Sequence, residues 1–487
     1  MKISVYVIGS NPLPCVIAMS YDFALVNSIP SDHIKPDYCV LISSNETLDY
    51  AERIKYWLSS KKLPDVSEPD VLLIDNAYNS AEIYQKTSEY IKKLPDIDNV
   101  FINASGGTKE MSGNILLALI DFASNNNIII QEVDIDPERK KIYIYNPITH
   151  KLQSTWPDGA IADCYHDVIT IDNIITLYRY IRKNETRDYL LENVINTISY
   201  AELLINNIDA YIKFNILYFI VKNAHICQEK FGKKFKDKQN TIFIESLYSC
   251  LFNGANTSTN EDINLLMSNG ISLFTSTEKN KKFNENNPIH INIMSSLLSY
   301  YISLVGDSAN KFIEALCKNG YLKQINNGQW RITENQLELL NGFWLEEYIS
   351  AAIEQLFDQS YKDCIVCDQS SYEIVRNFEI VPDLTPPSTK NFEIDVVVRY
   401  GYTIFFISCT TDIAEGLNNK KVLEVLANAE SLGLRTHVIL ATLAEMKTER
   451  WEKMFAPVHY NKLDIIDKKT ICDLEELKKK LKCILCD

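Results

Sequence analysis

The chain has 487 residues, 46% of them hydrophobic and 23% charged, with a net charge of −15. That length exceeds one ordinary core, so two to four domains are expected, and nothing in the composition points to long disorder. The acidic balance argues against a broad nonspecific nucleic-acid surface, while leaving room for a local basic groove.

Residues 1–150 alternate strands and helices. KISVYVIG reads as a buried strand, residues 15–27 as a helix and YCVLISS (38–44) as the next strand. A helical stretch follows at 47–61. DVLLID (70–75), NVFINAS (99–105), NIIIQEVDID (127–136) and KIYIYN (141–146) continue the series, with helices around 79–93 and 109–125. Apolar strands separated by helices predict a parallel, doubly wound sheet. Residues 151–307 are expected to be mainly helical, a linker or insertion, dense in Ile, Leu, Tyr and Asn. Residues 308–340 have the rhythm of a winged helix: SANKFIEALCKNGYL gives a helix and NNGQWRIT a small turn and strand. A plain helix and hairpin is the alternative. From residue 341 to 487 the α/β pattern returns. GFWLEEYISAAIEQLF is an amphipathic helix, and YEIVRNFEIV, EIDVVVRY, TIFFISCTT and HVILATL are strands.

No run of about 18 uncharged apolar residues occurs, so no spanning helix is expected. The N-terminal MKISVYVIGSNPLP lacks the pattern of a cleavable secretory signal, which makes the expected location cytoplasmic. Twelve cysteines are scattered along the chain and read as reduced thiols. Two CxxC pairs, Cys364/Cys367 and Cys483/Cys486, read as ordinary thiols, with a shared zinc site as the alternative. Lys230 to Lys238 is the one dense basic stretch, and it reads as a solvated loop between helices rather than a binding patch.

In open parallel sheets, ligands bind beyond the carboxyl ends of the strands. Three polar segments fall there. Gly9-Ser10-Asn11-Pro12 follows the first strand, Ser43-Ser44 the second, and Asn103-Ala104-Ser105-Gly106-Gly107-Thr108-Lys109 the strand NVFI. Two glycines let the backbone approach an anion, and a helix N-terminus near Thr108 offers free N–H groups. Ser105 and Thr108 add hydroxyls and Lys109 a charge. The segment is neither GxxxxGK followed by Ser or Thr, nor GxGxxG. A Gly-rich turn with Ser as helix cap is the bland alternative.

A second constellation lies near the C-terminus. Glu346, beside Glu347, opens the GFWLEEYIS helix. Asp395 sits in the strand FEIDVVV, two residues after Glu393. An unpaired acid at Asp395 would be costly to bury. Two carboxylates of this kind suit a hard cation such as Mg2+ or Mn2+.

ASGGTKEM, together with the Asn-Pro-Leu-Pro loop, resembles the signature of CRISPR-associated Rossmann-fold (CARF) sensor domains over about residues 1–150. The resemblance implies a domain that dimerises and binds a cyclic oligoadenylate, the tetra-adenylate in the leading reading. Gly9, Ser10, Asn11, Pro12, Ser44, Ser105, Gly106, Gly107, Thr108 and Lys109 would line the ligand. GFWLE followed by EIDVV resembles the PD-(D/E)XK nuclease half of CRISPR ancillary nucleases in which such a sensor precedes the nuclease. On that model residues 341–487 are a restriction-endonuclease-like domain, with Glu346 and Asp395 as metal ligands. The following strand departs from the pattern. Ser408-Cys409-Thr410 stands where relatives carry Glu or Ser, then Cys, then Lys. Ser408 can bind a metal-bound water weakly, and Thr410 supplies no cation. Lys420 or Lys421, opening the next helix, would replace it, and Asp412 would add a ligand. The implied function is a cyclic-oligoadenylate-activated, metal-dependent endonuclease acting on single-stranded or nicked DNA or RNA as a homodimer. The alternatives are a ligand-responsive regulator binding DNA through residues 308–340, and a catalytically degenerate protein.

Overall fold

The computed structural model describes residues 1–25, 35–61, 67–136, 141–156, 169–183, 189–222, 288–326, 329–363, 372–383, 392–401, 403–411, 421–427, 429, 436–444 and 463–486. They fall into two compact units built from non-contiguous stretches. The first comprises Met1–Thr186, Asp358–Phe406 and Val425–Val438. The second comprises Arg187–Phe357, Ile407–Glu424 and Ile439–Asp487.

The first unit begins with a seven-stranded sheet in the order β3-β2-β1-β4-β5-β6-β7. Its strands are β1 (Lys2–Val7), β2 (Tyr38–Ser44), β3 (Asp70–Ile74), β4 (Asn99–Asn103), β5 (Ile129–Asp136), β6 (Lys141–Asn146) and β7 (Lys151–Trp156). The first five pair in parallel. The expected parallel sheet therefore carries an addition: β6 and β7 continue it as an antiparallel edge. Helices α1 (Leu13–Asp22), α2 (Leu48–Ser60), α3 (Ser80–Ile91) and α4 (Lys109–Asn126) connect the parallel strands.

Burial on both sheet faces explains the nearly continuous apolar strands. Ile3, Val5 and Val7 point into one core with Val40, Ile42, Val100 and Ile102, closed by residues of α3 and α4 including Ile83, Ile115 and Leu119. Tyr6 alternates to the other face, where its hydroxyl donates to Asp22 of α1 at 2.5 Å.

The same unit contains α5 (Ile171–Leu177) and the short strand β8 (Tyr180–Arg182). Thr170 and Asn173 form a capping box at the start of α5. Strand β8 pairs antiparallel with β11 (Tyr372–Pro382), which pairs in turn with β12 (Phe392–Tyr400). These belong to a six-stranded sheet ordered β15-β14-β13-β12-β11-β8, with β13 (Thr403–Thr410), β14 (His437–Thr442) and β15 (Leu463–Ile466).

The second unit is largely helical: α6 (Val194–Asn206), α7 (Ile208–Lys222), α8 (Pro288–Val305) and α9 (Asp307–Lys318). Next come a two-stranded antiparallel hairpin, β9 (Lys323–Asn326) with β10 (Gln329–Arg331), and α10 (Glu334–Glu338). A π-type turn, Leu339–Phe343, leads into α11 (Trp344–Asp363), and α12 (Lys468–Ile471) and α13 (Leu474–Cys486) end the chain. Aromatic rings join α7, α8, α9 and α11. Phe214 packs edge-on against Tyr301 and Phe312, and Tyr211 against Trp344. Among the described residues, no helix is long and apolar enough to cross a membrane.

Candidate functional site

The strand order makes a switch point between β1 and β4, because the chain winds away from that pair in opposite directions. Val5 lies opposite Ile102 and Tyr6 opposite Asn103. The loops that leave these strands, Gly9–Pro12 and Ala104–Thr108, therefore run side by side.

Three glycines make that approach possible. A Cβ on Gly9 would stand 2.6 Å from the amide nitrogen of Gly107. A Cβ on Gly106 would stand 2.0 Å from the carbonyl oxygen of Val7. Gly107 takes φ 73°, where L side chains are strained. The sequence suggests glycines opened for an anion. The structure gives them a further duty, which is to seat one loop backbone on the other.

The polar side chains around the loops are mostly engaged. Thr108 caps α4 by accepting from the Met111 amide at 3.1 Å, and its hydroxyl donates to the Ala77 carbonyl at 2.8 Å. Ser105 donates to Asn103 Oδ1 at 2.7 Å, and Asn103 Nδ2 donates to the Val133 carbonyl at 2.7 Å. Ser112 closes the turn by donating to the Gly106 carbonyl at 2.5 Å. Asn11 Oδ1 accepts from the Leu13 amide at 3.3 Å and from the Tyr178 hydroxyl. The Ser44 hydroxyl meets that of Thr47 at 3.3 Å, and the Ser44 amide donates to the same oxygen at 3.1 Å. Ser10, Ser105, Gly107 and Lys109 are exposed, whereas Gly9, Pro12 and Ser44 are buried. The result is a polar strand-end floor with exposed hydroxyls, one exposed ammonium at Lys109 and the N-terminal turn of α4. Oriented amides and a cation are chemistry for a phosphate-bearing ligand.

Beneath this floor lies a buried carboxyl. Burial pushes Asp22 up to about 7, with the hydrogen bond from Tyr6 pulling the other way. Burial likewise raises Tyr6, and Asp22 adds to that.

Asp395, also in the first unit, lies in β12 at 8% exposure, while Glu393 two residues earlier is exposed. The ladder between β11 and β12 pairs Arg376 with Val396 and Phe378 with Ile394. Between them, across from Asp395, Asn377 takes φ 51°. A positive φ inside a strand is uncommon, and asparagine is among the few side chains that accept it.

Glu346, Glu347, Ser408, Thr410 and Lys421 belong to the second unit. Glu346 is half-buried in the first turn of α11. Its neighbour Glu347 is 4% exposed and accepts from the Leu190 amide at 3.0 and 3.3 Å. The two adjacent acids thus have different surroundings, and Glu347 ties α11 to residue 190. The π-type turn just before them sets Gly342 at φ 119°. A Cβ there would meet Thr411 Oγ1 at 3.1 Å, so the entrance to α11 abuts the end of β13. Thr411 Oγ1 also accepts from Asn215 Nδ2 at 3.1 Å. Ser408 is buried, Thr410 is half-buried, and Lys421 is half-buried in the helical stretch 421–427. Lys420, Asp412, Cys364, Cys367 and the basic stretch 230–238 lie outside the described residues. Among the described residues, no three His, Cys, Asp or Glu gather as a metal cluster.

Two participants had no sequence signal of their own. Tyr178 reaches Asn11 across a separation of 167 residues. Asn377 is an ordinary residue in an ordinary strand pattern until its backbone angle is known.

No protein-family model matches the chain, and no curated protein matches its sequence. Solved structures do match its fold along the whole length. Protein VC1899 from Vibrio cholerae superposes with a TM-score of 0.59 at 14% identity, covering 99% of this chain and 98% of that one. Can2 from Sulfobacillus thermosulfidooxidans, solved in complex with cyclic tetra-adenylate, superposes with a TM-score of 0.54 at 14% identity, covering 100% of this chain and 99% of that one. At that identity the likeness is one of fold.

Proposed function

We propose that this chain is a cyclic-oligoadenylate-activated, metal-dependent nuclease of CRISPR antiviral defence that cuts single-stranded or nicked DNA or RNA. The observation that carries the reading is the full-length likeness of fold to a protein solved with cyclic tetra-adenylate. The glycine-seated polar floor and the CARF-like ASGGTKEM segment support it. Exposed Ser105 and Lys109, with the N-terminal turn of α4, face the ligand's phosphates. Asn11 and Ser10 hold it from the neighbouring loop, and Ser44 flanks it. Two chains would embrace one ring as a homodimer. Activation then requires the ring to favour the cutting arrangement over the resting one.

Glu346 and Asp395 are the residues that would hold Mg2+ or Mn2+. The donor set fits such an ion in kind, since hard cations take carboxylate oxygens and complete their shells with water. When bound, the ion acidifies a water and neutralises charge on the phosphoryl group. The Ser408 hydroxyl would orient that water. Thr410 offers no charge, so Lys421 or Lys420 would steady the developing anion.

One observation favours a second reading, a catalytically silent relative. The β13 end carries hydroxyls in place of a cation, and Thr411 Oγ1 is occupied by Asn215.

Incubation of the full chain with Mn2+ and labelled DNA or RNA, with and without cyclic tetra-adenylate, tests the proposal. Ligand-dependent cutting that disappears in Asp395→Ala supports it. Ligand binding without cutting under any condition selects the silent reading.

A further inference from the structure

The segment α5–β8 touches both the candidate ligand floor and the β8-β11-β12 strands, all within the first unit. On the floor side, Tyr178 at the end of α5 donates its hydroxyl to Asn11 Oδ1. The direction of that bond is fixed by chemistry. The Leu13 amide donates to the same oxygen at 3.3 Å, and a backbone N–H can only donate. The atom facing both is therefore the Asn11 oxygen, and the Tyr178 hydroxyl must give its proton to it. The Asn11 amide nitrogen, with two donors, is left turned away from this pair. Tyr178 is buried, so the phenol would lose its partner at a cost if Asn11 turned.

The other end of the segment is held as firmly. Arg179, at φ 68°, turns the chain from α5 into β8. Its carbonyl accepts from the Asp383 amide at 2.8 Å. Strand β8 then pairs Tyr180 with Pro382, Ile181 with Val381 and Arg182 with Ile380. Arg53 of α2 clamps the junction, donating to the Thr176 carbonyl at 3.1 Å and to the Asp383 carboxylate. The start of α5 is fixed by Glu373 of β11, which accepts from the Ile171 amide at 2.8 Å.

We propose that Tyr178 is a positioning residue: its hydroxyl pins the Asn11 amide for the ligand, and the α5–β8 segment carries any displacement of that pair to β11. This deepens the cyclic-oligoadenylate reading and rests on it for the identity of the ligand. The route is short. A ligand that moves Asn11 must move or orphan the Tyr178 hydroxyl, and the residue after Tyr178 bonds directly to the strand end that leads to β12 and Asp395.

The test uses Tyr178→Phe, Asn11→Ala and the double variant in the full chain. Two readouts are taken: hydrogen exchange at the Leu13 amide without ligand, and the Kd for cyclic tetra-adenylate. The expected result is faster Leu13 exchange in Tyr178→Phe and a Kd raised about three- to tenfold, the worth of one hydrogen bond. Adding Tyr178→Phe to Asn11→Ala should then raise Kd no further, a non-additivity that a merely structural tyrosine would not give. Unchanged Leu13 exchange in Tyr178→Phe, or fully additive effects on Kd, overturns the proposal. If the wild-type chain does not bind the ring, the functional reading falls, and Leu13 exchange still decides whether Tyr178 pins Asn11.

Discussion

Gly106 sits against Val7 so closely that a Cβ would stand 2.0 Å from the Val7 carbonyl oxygen. No real side chain tolerates that distance to backbone, so the loop or the strand end has to shift. Gly106→Ala should cost about 2–4 kcal/mol of stability, the range of changes that strain a packed backbone. Thermal unfolding measures the loss, and ligand affinity should fall with it because the two loops no longer register.

Thr108 offers a milder probe of the same loop. It caps α4 and also donates to the Ala77 carbonyl. Thr108→Ala should cost about 1–2 kcal/mol, and Thr108→Ser should restore most of it, since the hydroxyl carries both bonds. Denaturant unfolding of the two variants separates the cap from a methyl-packing effect.

Asp22 gives the unit a pH dependence. Its folded-state value is about 7 against an ordinary value of 3.8, and burial is the main cause. The folded state therefore binds a proton that the unfolded state has already released between these values. Its stabilising share is complete below about pH 3.8 and is lost as pH rises through 7, amounting to a few kcal/mol. Asp22→Asn should flatten the stability profile between pH 4 and 8 and raise Tm at pH 8. An unchanged slope would show that Asp22 is not the group responsible.

The parallel core was legible because strands buried on both faces are written as unbroken apolar runs, as in KISVYV and YCVLISS. Strand β7 escaped because its residues KLQST are exposed or half-buried, with burial only at Trp156, so no periodicity marked it. Strand β8 has three residues, too few for any pattern. The floor was readable as a set of loops, but the role of its glycines was not. Their constraint comes from backbone atoms about a hundred residues away in sequence. Tyr178 was hidden for the same reason: a contact made by topology leaves no local trace.

Glu346 and Glu347 are adjacent in sequence and should separate cleanly by experiment. Glu347 is buried on the Leu190 amide. Glu347→Ala should lower stability by about 1–3 kcal/mol by leaving that amide unpaired. Glu346→Ala should abolish cutting while costing less stability than Glu347→Ala. Paired melting and cleavage assays read both effects. Undiminished cutting by Glu346→Ala would contradict the assignment of Glu346 to metal binding.

The strand-end floor is proposed to recognise a cyclic oligoadenylate. Calorimetric titration of cyclic tetra-adenylate into the full chain tests it most directly, with Lys109→Ala as the comparison. Saturable binding of one ring per two chains, weakened by Lys109→Ala and more so at high salt, is the predicted result. No saturable binding by the wild-type chain, or binding indifferent to Lys109 and salt alike, would contradict it.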